Sequence, residues 1–321
     1  MSKASGSVET VHAIGLMQGR LAPPEDGRFQ SFPRAAWREE FARARAAGLA
    51  YIEWIHDAYG AASDPSDKRW FTDAADAAAY AAGANPIFSE TGLAEMDLLK
   101  AETGIATPAL CGDWFMDFPL IRCTEAEREE REAHLHELIP IAARIGAQKM
   151  VLPFVDQSRM ANEEEKQQVA GVLERALPVA ERYGVELHLE ADFGPEEFAE
   201  FLARIPHPML KVNWDSGNSS GLGFVASEEF AAYGARVGSV HIKDRYRKPE
   251  GGIESRPLGE GSADFADVFR AVKSIGYVGG FTLQVARGVP GDEVEFLRGQ
   301  AEFVRVRVLP DGPTARGAVT S

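Results

Sequence analysis

The residues Val185-Glu-Leu-His-Leu-Glu190 form a short apolar run that ends at a carboxylate. Three later runs have the same form: Leu210-Lys-Val-Asn-Trp-Asp215, Val237-Gly-Ser-Val-His241 and Phe281-Thr-Leu-Gln284. Short runs of this composition, each followed by loop-forming residues, are typical of buried parallel strands. In a bundle of parallel strands the C-terminal ends meet at one place. The runs therefore predict that four polar side chains come together, namely Glu190, Asp215, His241 and Gln284.

Strand-like and helix-like segments alternate along the rest of the chain. Eight strands, each followed by a helix, predict an α/β fold of the (β/α)8 TIM-barrel type, in one domain spanning residues 11–308. The alternative is a doubly wound open sheet, but no GxGxxG motif follows any of the strands. The predicted strands are Val11–Met17, Leu49–Ile55, Ile105–Cys111, Gln148–Pro153, Val185–Glu190, Leu210–Asp215, Val237–Lys243 and Gly279–Val285.

The helix-like segments are amphipathic and rich in Ala, Glu and Arg, and several end at a glycine, as helices commonly do. They are Arg34–Ala47, Thr124–Ile145, Asn162–Tyr183, Pro195–Arg204, Ser227–Arg236, Phe265–Ile275 and Glu293–Val308. Residues 57–90 form an insertion after strand 2, interpreted either as a lid or as an ordinary covering loop. Residues 1–10 are predicted to be a disordered N-terminus and residues 309–321 a flexible C-terminal tail.

The composition argues against several classes of protein. The 321 residues are 45% hydrophobic, which is ample for one large core. A net charge of −15 argues against nucleic acid and anionic membranes as partners. The two cysteines, Cys111 and Cys123, form no CxxC pair, which favours a reducing compartment. No signal peptide and no membrane-spanning run is recognisable, so a cytoplasmic protein is expected.

Two carboxylates, an imidazole and an amide at neighbouring strand ends predict a site for a divalent metal cation. Each has a structural alternative: Glu190 as a buried salt-bridge acceptor, Asp215 as the first residue of a turn, and His241 as a core histidine. Gln284 can coordinate through its amide oxygen but cannot accept a proton near neutral pH. Glu190 is therefore the candidate general base.

Several cations follow the predicted strands and could bind an anionic substrate group. His241, Lys243 and Arg245 alternate along one run, so they share one strand face. A cationic rim is predicted to contact substrate, with simple pairing to nearby acids as the alternative; Glu53, at the end of strand 2, is a further substrate-binding candidate. The predicted rim consists of Arg20, Lys243, Arg245, Arg247 and Arg287.

Three stretches carry a family resemblance: His241-Ile-Lys-Asp-Arg245, Leu258-Gly-Glu-Gly261 and Gly276-Tyr-Val-Gly-Gly-Phe281. They resemble the xylose isomerase-like TIM-barrel superfamily, in its sugar phosphate isomerase/epimerase branch. The resemblance implies that Glu190, Asp215, His241 and a residue at position 284 bind Mn²⁺, Mg²⁺ or Co²⁺, with Zn²⁺ as a further candidate.

The chain departs from the family pattern at two positions. The epimerases have a second glutamate where this chain has Gln284, and they use both glutamates as acid and base. They also have a substrate-binding histidine where this chain has Asn218, which makes Asn218 a substrate-binding candidate. The missing second base favours a mechanism in which Glu190 alone moves the proton.

The expected function is isomerisation or epimerisation of a sugar, sugar acid or sugar phosphate through an enediolate, with the metal holding the substrate oxygens. One alternative is a dehydratase that forms the same enolate and then eliminates water. Another is a catalytically silent sugar-binding or partner subunit. The expected partner is a small carbohydrate, and a homodimer or homotetramer is the expected assembly.

Overall fold

The computed structural model describes residues 12–24, 27–58 and 85–308. Eight parallel strands close into a barrel in the order β1-β10-β7-β6-β5-β4-β3-β2, which confirms the predicted TIM barrel. The barrel strands are β1 Ile14–Met17, β2 Tyr51–Ile55, β3 Ala106–Cys111, β4 Lys149–Phe154, β5 Glu186–Ala191, β6 Leu210–Asp215, β7 Val237–Ile242 and β10 Phe281–Leu283.

The strands are buried on both faces, as their near-continuous apolar sequences require. Every residue of β1, β2 and β10 is buried. The last strand is shorter than predicted, because only the three residues Phe281–Leu283 pair with β7 and β1. Gln284 therefore lies one residue past the end of its strand, at the mouth of the barrel.

Helices surround the barrel, and each of the seven predicted segments corresponds to one; the helices Glu90–Thr103, Trp114–Asp117 and Ser216–Leu222 lie outside the predicted segments. At the helix Glu163–Tyr183, the Asn162 side chain accepts from the Glu165 backbone N–H, and Gly184 ends the helix in the left-handed region. The helices are Trp37–Ala46, Glu90–Thr103, Trp114–Asp117, Glu125–Arg144, Glu163–Tyr183, Pro195–Arg204, Ser216–Leu222, Ala226–Tyr233, Phe265–Ser274 and Glu293–Val308.

The chain after β7 also differs from the sequence-based prediction. The strand predicted to run to Lys243 ends at Ile242, and the chain then forms an antiparallel hairpin of β8 Asp244–Arg247 and β9 Ile253–Arg256. The carboxylate of Asp244 holds the loop beyond the hairpin, because it accepts from the backbone N–H groups of Gly259, Gly261 and Ala263. The stretch Leu258–Gly261 is thus a turn held by Asp244.

The predicted N-terminal and C-terminal disordered segments lie outside the described residues, as does most of the insertion after β2. Among the helices that the structure describes, none combines the length and apolar character needed to cross a membrane.

Candidate active site

The polar ends of β5, β6 and β7 meet at the C-terminal mouth of the barrel. One ligand atom from each of Glu190, Asp215 and His241 lies within 4.8 Å of the other two, and all three side chains are buried. The Nδ1 atom of His241 is 3.5 Å from a Glu190 oxygen and 3.9 Å from Asp215 Oδ2. Parallel strand pairing produces this cluster, since Asp215 and His241 are direct neighbours in the β6–β7 register.

Asp215 has the geometry of a turn-starting residue and also that of a metal ligand. Its Oδ1 atom accepts from the backbone N–H groups of Gly217 and Asn218, at 2.8 and 2.7 Å, and so caps the helix Ser216–Leu222. Its Oδ2 atom is buried and has no hydrogen-bond partner in the described part of the chain. The turn-starting role and a ligand role are therefore compatible, because each uses a different oxygen.

A buried carboxylate behind the cluster fixes the ring of His241. Glu53 is fully buried, and its Oε1 atom accepts from His241 Nε2 at 2.9 Å. Its other oxygen accepts from the Thr282 hydroxyl at 2.9 Å, and the Tyr51 hydroxyl lies 3.0 Å from Thr282 Oγ1. A proton on Nε2 leaves the lone pair of the neutral ring on Nδ1, the atom that faces Glu190 and Asp215.

The charges of this cluster are coupled through the His241 ring. Burial lowers the pKa of His241, but the carboxylates of Glu53, Glu190 and Asp215 outweigh it and raise the pKa to about 9. Burial also raises the pKa of Glu53, but His241 and the nearby ammonium of Lys149 outweigh it, so the pKa of Glu53 is lowered. Glu53 and His241 therefore form an ion pair when the cluster holds no metal.

Two asparagines orient the Glu190 carboxylate. Its Oε2 atom accepts from the Asn213 amide at 2.8 Å, and its Oε1 atom accepts from the Asn218 amide at 2.5 Å. Burial, reinforced by the charge of Asp215, raises the pKa of Glu190 to about 7. A carboxylate with a pKa near neutrality is suited to taking and returning a proton at physiological pH.

Inside the barrel, a chain of hydrogen bonds leads from Glu190 to the opposite end. Asn213 donates to Glu190, and its own amide oxygen accepts from the Ser239 hydroxyl at 2.6 Å. Ser239 lies 2.7 Å from Nδ1 of His188, whose Nε2 atom is 3.0 Å from Glu186. His188 is the fully buried link in this chain, so it supports the cluster from inside the barrel.

Gln284 points its two polar atoms at different neighbours. Its Oε1 atom accepts from Lys243 Nζ at 3.0 Å, and its amide nitrogen donates to Gln30 Oε1 at 3.0 Å. Gln30 in turn donates to Asp113 Oδ2 at 2.6 Å. A directed chain of hydrogen bonds thus runs from an ammonium through two amides to a carboxylate. The second lone pair of the Gln284 oxygen is not used in this chain.

Four of the residues predicted to bind substrate lie away from the cavity wall. The Arg20 guanidinium donates to the carbonyls of Val285 and Phe29 and to Gln30. Arg287 donates to three backbone carbonyls, at Phe29, Gly19 and Ala22. The described residues that line the cavity include neither of these arginines, nor Arg247 and Glu53. Arg20 and Arg287 instead tie the β1 loop to the end of β10.

A cavity of about 200 Å³ lies beside the cluster. Of the predicted substrate-binding residues, Asn218, Lys243 and Arg245 line it, together with Glu190 and Gln284. Its other charged lining residues are Asp57, Asp113, Asp117 and Asp156. A small polar molecule in this cavity would contact Glu190 directly.

Three residues of the site were not predicted from the sequence, namely Asn213, Gln30 and Asp113. Period-two alternation along β6 could have indicated Asn213, which is two residues before Asp215 and so shares its strand face. Gln30 and Asp113 lie in loops, where no local pattern marks a side chain that points to the barrel mouth.

The oxygen and nitrogen atoms of the cluster are suitable ligands for a divalent cation. Asp215 Oδ2 and His241 Nδ1 are both buried without a hydrogen-bond partner among the described residues, although buried polar atoms are normally paired. Two carboxylate oxygens and one imidazole nitrogen, all within 4.8 Å, are ligands that Mg²⁺, Mn²⁺ and Zn²⁺ accept.

Comparison with known proteins agrees with this fold. A family model described as xylose isomerase-like TIM barrel matches residues 41–300. An L-ribulose-5-phosphate 3-epimerase of Shigella flexneri is 25% identical over 217 residues, which cover 66% of this chain and 75% of the relative.

Two solved structures have the same fold at low sequence identity. A D-allulose 3-epimerase from Methylomonas sp., in complex with D-allulose, superposes with a TM-score of 0.66 at 18% identity and covers 93% of this chain and 98% of its own. The IOLI protein with a bound zinc atom superposes with a TM-score of 0.69 at 16% identity, and the aligned region covers 93% of this chain and 99% of the IOLI chain.

Proposed function

Because the chain belongs to the xylose isomerase-like TIM-barrel family, we propose that it is a divalent-metal-dependent isomerase or epimerase of a sugar, sugar acid or sugar phosphate. The observation that carries this proposal is the cluster of Glu190, Asp215 and His241, whose unpaired buried atoms adjoin a polar cavity. The relatives named above support the sugar class of substrate. A small carbohydrate is the proposed partner.

Glu190, Asp215 and His241 would hold the cation, and Gln284 would add its amide oxygen through the free lone pair. A bound divalent cation supplies electrostatic stabilisation of the negative charge that develops on the substrate oxygens. Among Mn²⁺, Mg²⁺, Co²⁺ and Zn²⁺, the imidazole ligand favours Zn²⁺, whereas the carboxylate and amide oxygens suit Mg²⁺ and Mn²⁺.

Glu190 would remove the proton from the carbon next to the substrate carbonyl, which leaves an enediolate. Asn213 and Asn218 hold its two oxygens in place, so the carboxylate needs no reorientation as it accepts the proton. Lys243 and Arg245 line the cavity and would contact an anionic or hydroxyl group of the substrate. Glu53 would act through His241 rather than by touching the substrate.

Proton exchange tests the proposal most directly. In deuterium oxide, the protein loaded with Mn²⁺ should exchange the α-proton of ketoses or their phosphates, measured by proton NMR. Both EDTA-treated protein and a Glu190→Gln variant should lose this exchange by at least about 100-fold. Full exchange in either preparation would overturn the proposal. A product lighter by one water would instead identify the dehydratase, and sugar binding without exchange would identify the silent subunit.

A further inference from the structure

An epimerase has to remove a proton from one face of a carbon and return a proton to the opposite face. Glu190 can serve one face, but Gln284 cannot serve the other, because a carboxamide acts neither as a general acid nor as a general base near neutral pH. Either the enzyme works with one base, or a residue elsewhere in the cavity supplies the second proton. The wall of the cavity therefore has to be searched for that residue.

Asp113 occupies the wall that faces the metal-binding strands. It follows β3, which lies four places from β7 in either direction around the ring of eight strands. Glu190 is at the end of β5, two places from each of them. Both carboxyl groups line the same cavity. A substrate held in this cavity near His241 would thus have Asp113 on the side opposite His241, with Glu190 a quarter turn from each of them around the barrel.

The other ionisable groups that line this cavity in the described part of the chain are less suitable. Asp117 and Asp156 are exposed to solvent, and Asp57 accepts from the Phe32 backbone N–H at 2.6 Å. Lys243 is held against the Gln284 oxygen on the same side as the cluster. Cys111 donates its thiol hydrogen to Asp113 Oδ1 at 3.2 Å, and burial together with nearby carboxylates raises its pKa well above the usual value.

The hydrogen bonds that Asp113 accepts orient its carboxyl group towards fixed partners. Gln30 donates to Oδ2, and Gln30 is itself fixed by Arg20 and Gln284. Burial raises the pKa of Asp113, which increases the share of the protonated form at a given pH. The shared chain means that Gln284, which replaces a glutamate of the family, helps to hold Asp113 in position.

We infer that Asp113 is the second proton-transfer residue of this enzyme, which acts on the face of the substrate that Glu190 does not reach. The inference rests on the proposed function. In one direction Glu190 takes the α-proton, the C–H electron pair enters the enediolate, and Asp113 then delivers its proton to the other face of the same carbon. Glu190 ends protonated and Asp113 ionised, and exchange with water through the cavity restores both. The reverse reaction exchanges the two roles.

The two epimers of one ketose distinguish this inference from a one-base mechanism. The Mn²⁺-loaded enzyme would be incubated in deuterium oxide with free ketopentoses, their 5-phosphates and free ketohexoses. In an Asp113→Asn variant, the epimer whose proton faces Glu190 should still exchange, with retained configuration. The other epimer should lose exchange, and interconversion should fall by at least about 100-fold. The surviving exchange also shows that the variant is folded.

Asp97→Asn is the control, because it removes the same charge from an exposed position of the helix Glu90–Thr103 that does not line the cavity; it should interconvert both epimers at nearly the wild-type rate. Equal losses in the two variants would overturn the inference, as would unchanged interconversion in Asp113→Asn. A wild-type enzyme that exchanges but does not epimerise would also overturn it. If the Asn variant does not fold, Asp113→Ser gives the same readout. No exchange by the wild-type enzyme on any sugar would instead refute the proposed function itself.

Discussion

Glu53 accepts a hydrogen bond from His241 at 2.9 Å, although 188 positions separate the two residues in the chain. The contact crosses the barrel interior from β2 to β7, and both side chains are fully buried. It determines which nitrogen of the His241 ring faces the other two residues of the cluster. Glu53 is therefore a positioning residue for the proposed metal site, and its effect can be measured as metal affinity.

Replacing Glu53 with leucine should weaken metal binding by about 10- to 100-fold, because His241 loses the acceptor that fixes its tautomer. Glu53→Gln should weaken it less, because the amide oxygen can still accept from Nε2. Titration calorimetry of EDTA-treated protein with MnCl₂ measures both affinities. If the wild type and both variants bind Mn²⁺ with the same affinity, Glu53 does not position His241 for metal binding.

Protons and metal should compete for the cluster. Without metal, His241 has a pKa of about 9 and Glu190 a pKa of about 7, so the site holds protons that a cation must displace. Between pH 7 and pH 9, the Mn²⁺ affinity should rise about tenfold per pH unit as one proton is released. Calorimetry at pH 8 in two buffers of different ionisation enthalpy measures this proton. Buffer-independent heats would contradict the prediction.

Gln284→Glu should tighten Mn²⁺ binding by about tenfold, because an added carboxylate raises the ligand charge of the site. The new carboxylate can also pair with Lys243, which already donates to the Gln284 oxygen. Gln157→Glu is the control, since Gln157 lines the same cavity but belongs to the loop after β4. Its affinity should change by less than about threefold, and an equal gain in both variants would show a general charge effect.

Glu40 should make stability fall as the pH rises. Burial raises its pKa to about 7, although its carboxylate accepts from the backbone N–H groups of Gly19 and Leu21. In the unfolded chain the pKa of this glutamate is about 4.3. As the pH rises from about 4 to 7, the unfolded chain therefore loses the proton that the folded protein keeps, and the free energy of unfolding decreases.

Glu40→Gln keeps an acceptor oxygen but does not ionise. The free energy of unfolding of this variant, relative to wild type, should therefore increase by about 2 kcal/mol between pH 5 and pH 8. Urea unfolding at the two pH values measures the difference. The exposed neighbour Glu39 provides the control, since Glu39→Gln should give the same difference at both pH values.

The sequence predicted the barrel well because each strand is a local pattern. The bounds of Leu210–Asp215, Pro195–Arg204 and Glu293–Val308 agree with the structure to the residue. The hairpin after β7 was missed, because Asp244–Arg247 continues the alternation of the preceding strand while its partner strand is mostly polar. Only its pairing with Ile253–Arg256 shows that the chain turns back.

The site was predictable to the extent that it lies on strands. The positions of Glu190, Asp215 and His241 follow from the rule that parallel strands end together, and the structure brings them within 4.8 Å. The hydrogen-bond partners of the arginines could not be predicted from the sequence, because a long side chain can reach several acceptors in the surrounding loops. Arg20 and Arg287 could be expected at the mouth, but only the fold shows that they bind backbone carbonyls.

The amino-acid sequence by itself determined the class of fold and the three strand ends that carry oxygen and nitrogen ligands. Period, burial and strand polarity are properties of neighbouring residues, so they can be read locally. The tertiary structure alone decided the partners of those ligands: Glu53 behind His241, Asn213 on Glu190, and Asp113 across the cavity. Closing the barrel brings together residues far apart in the chain, and no local pattern encodes such contacts.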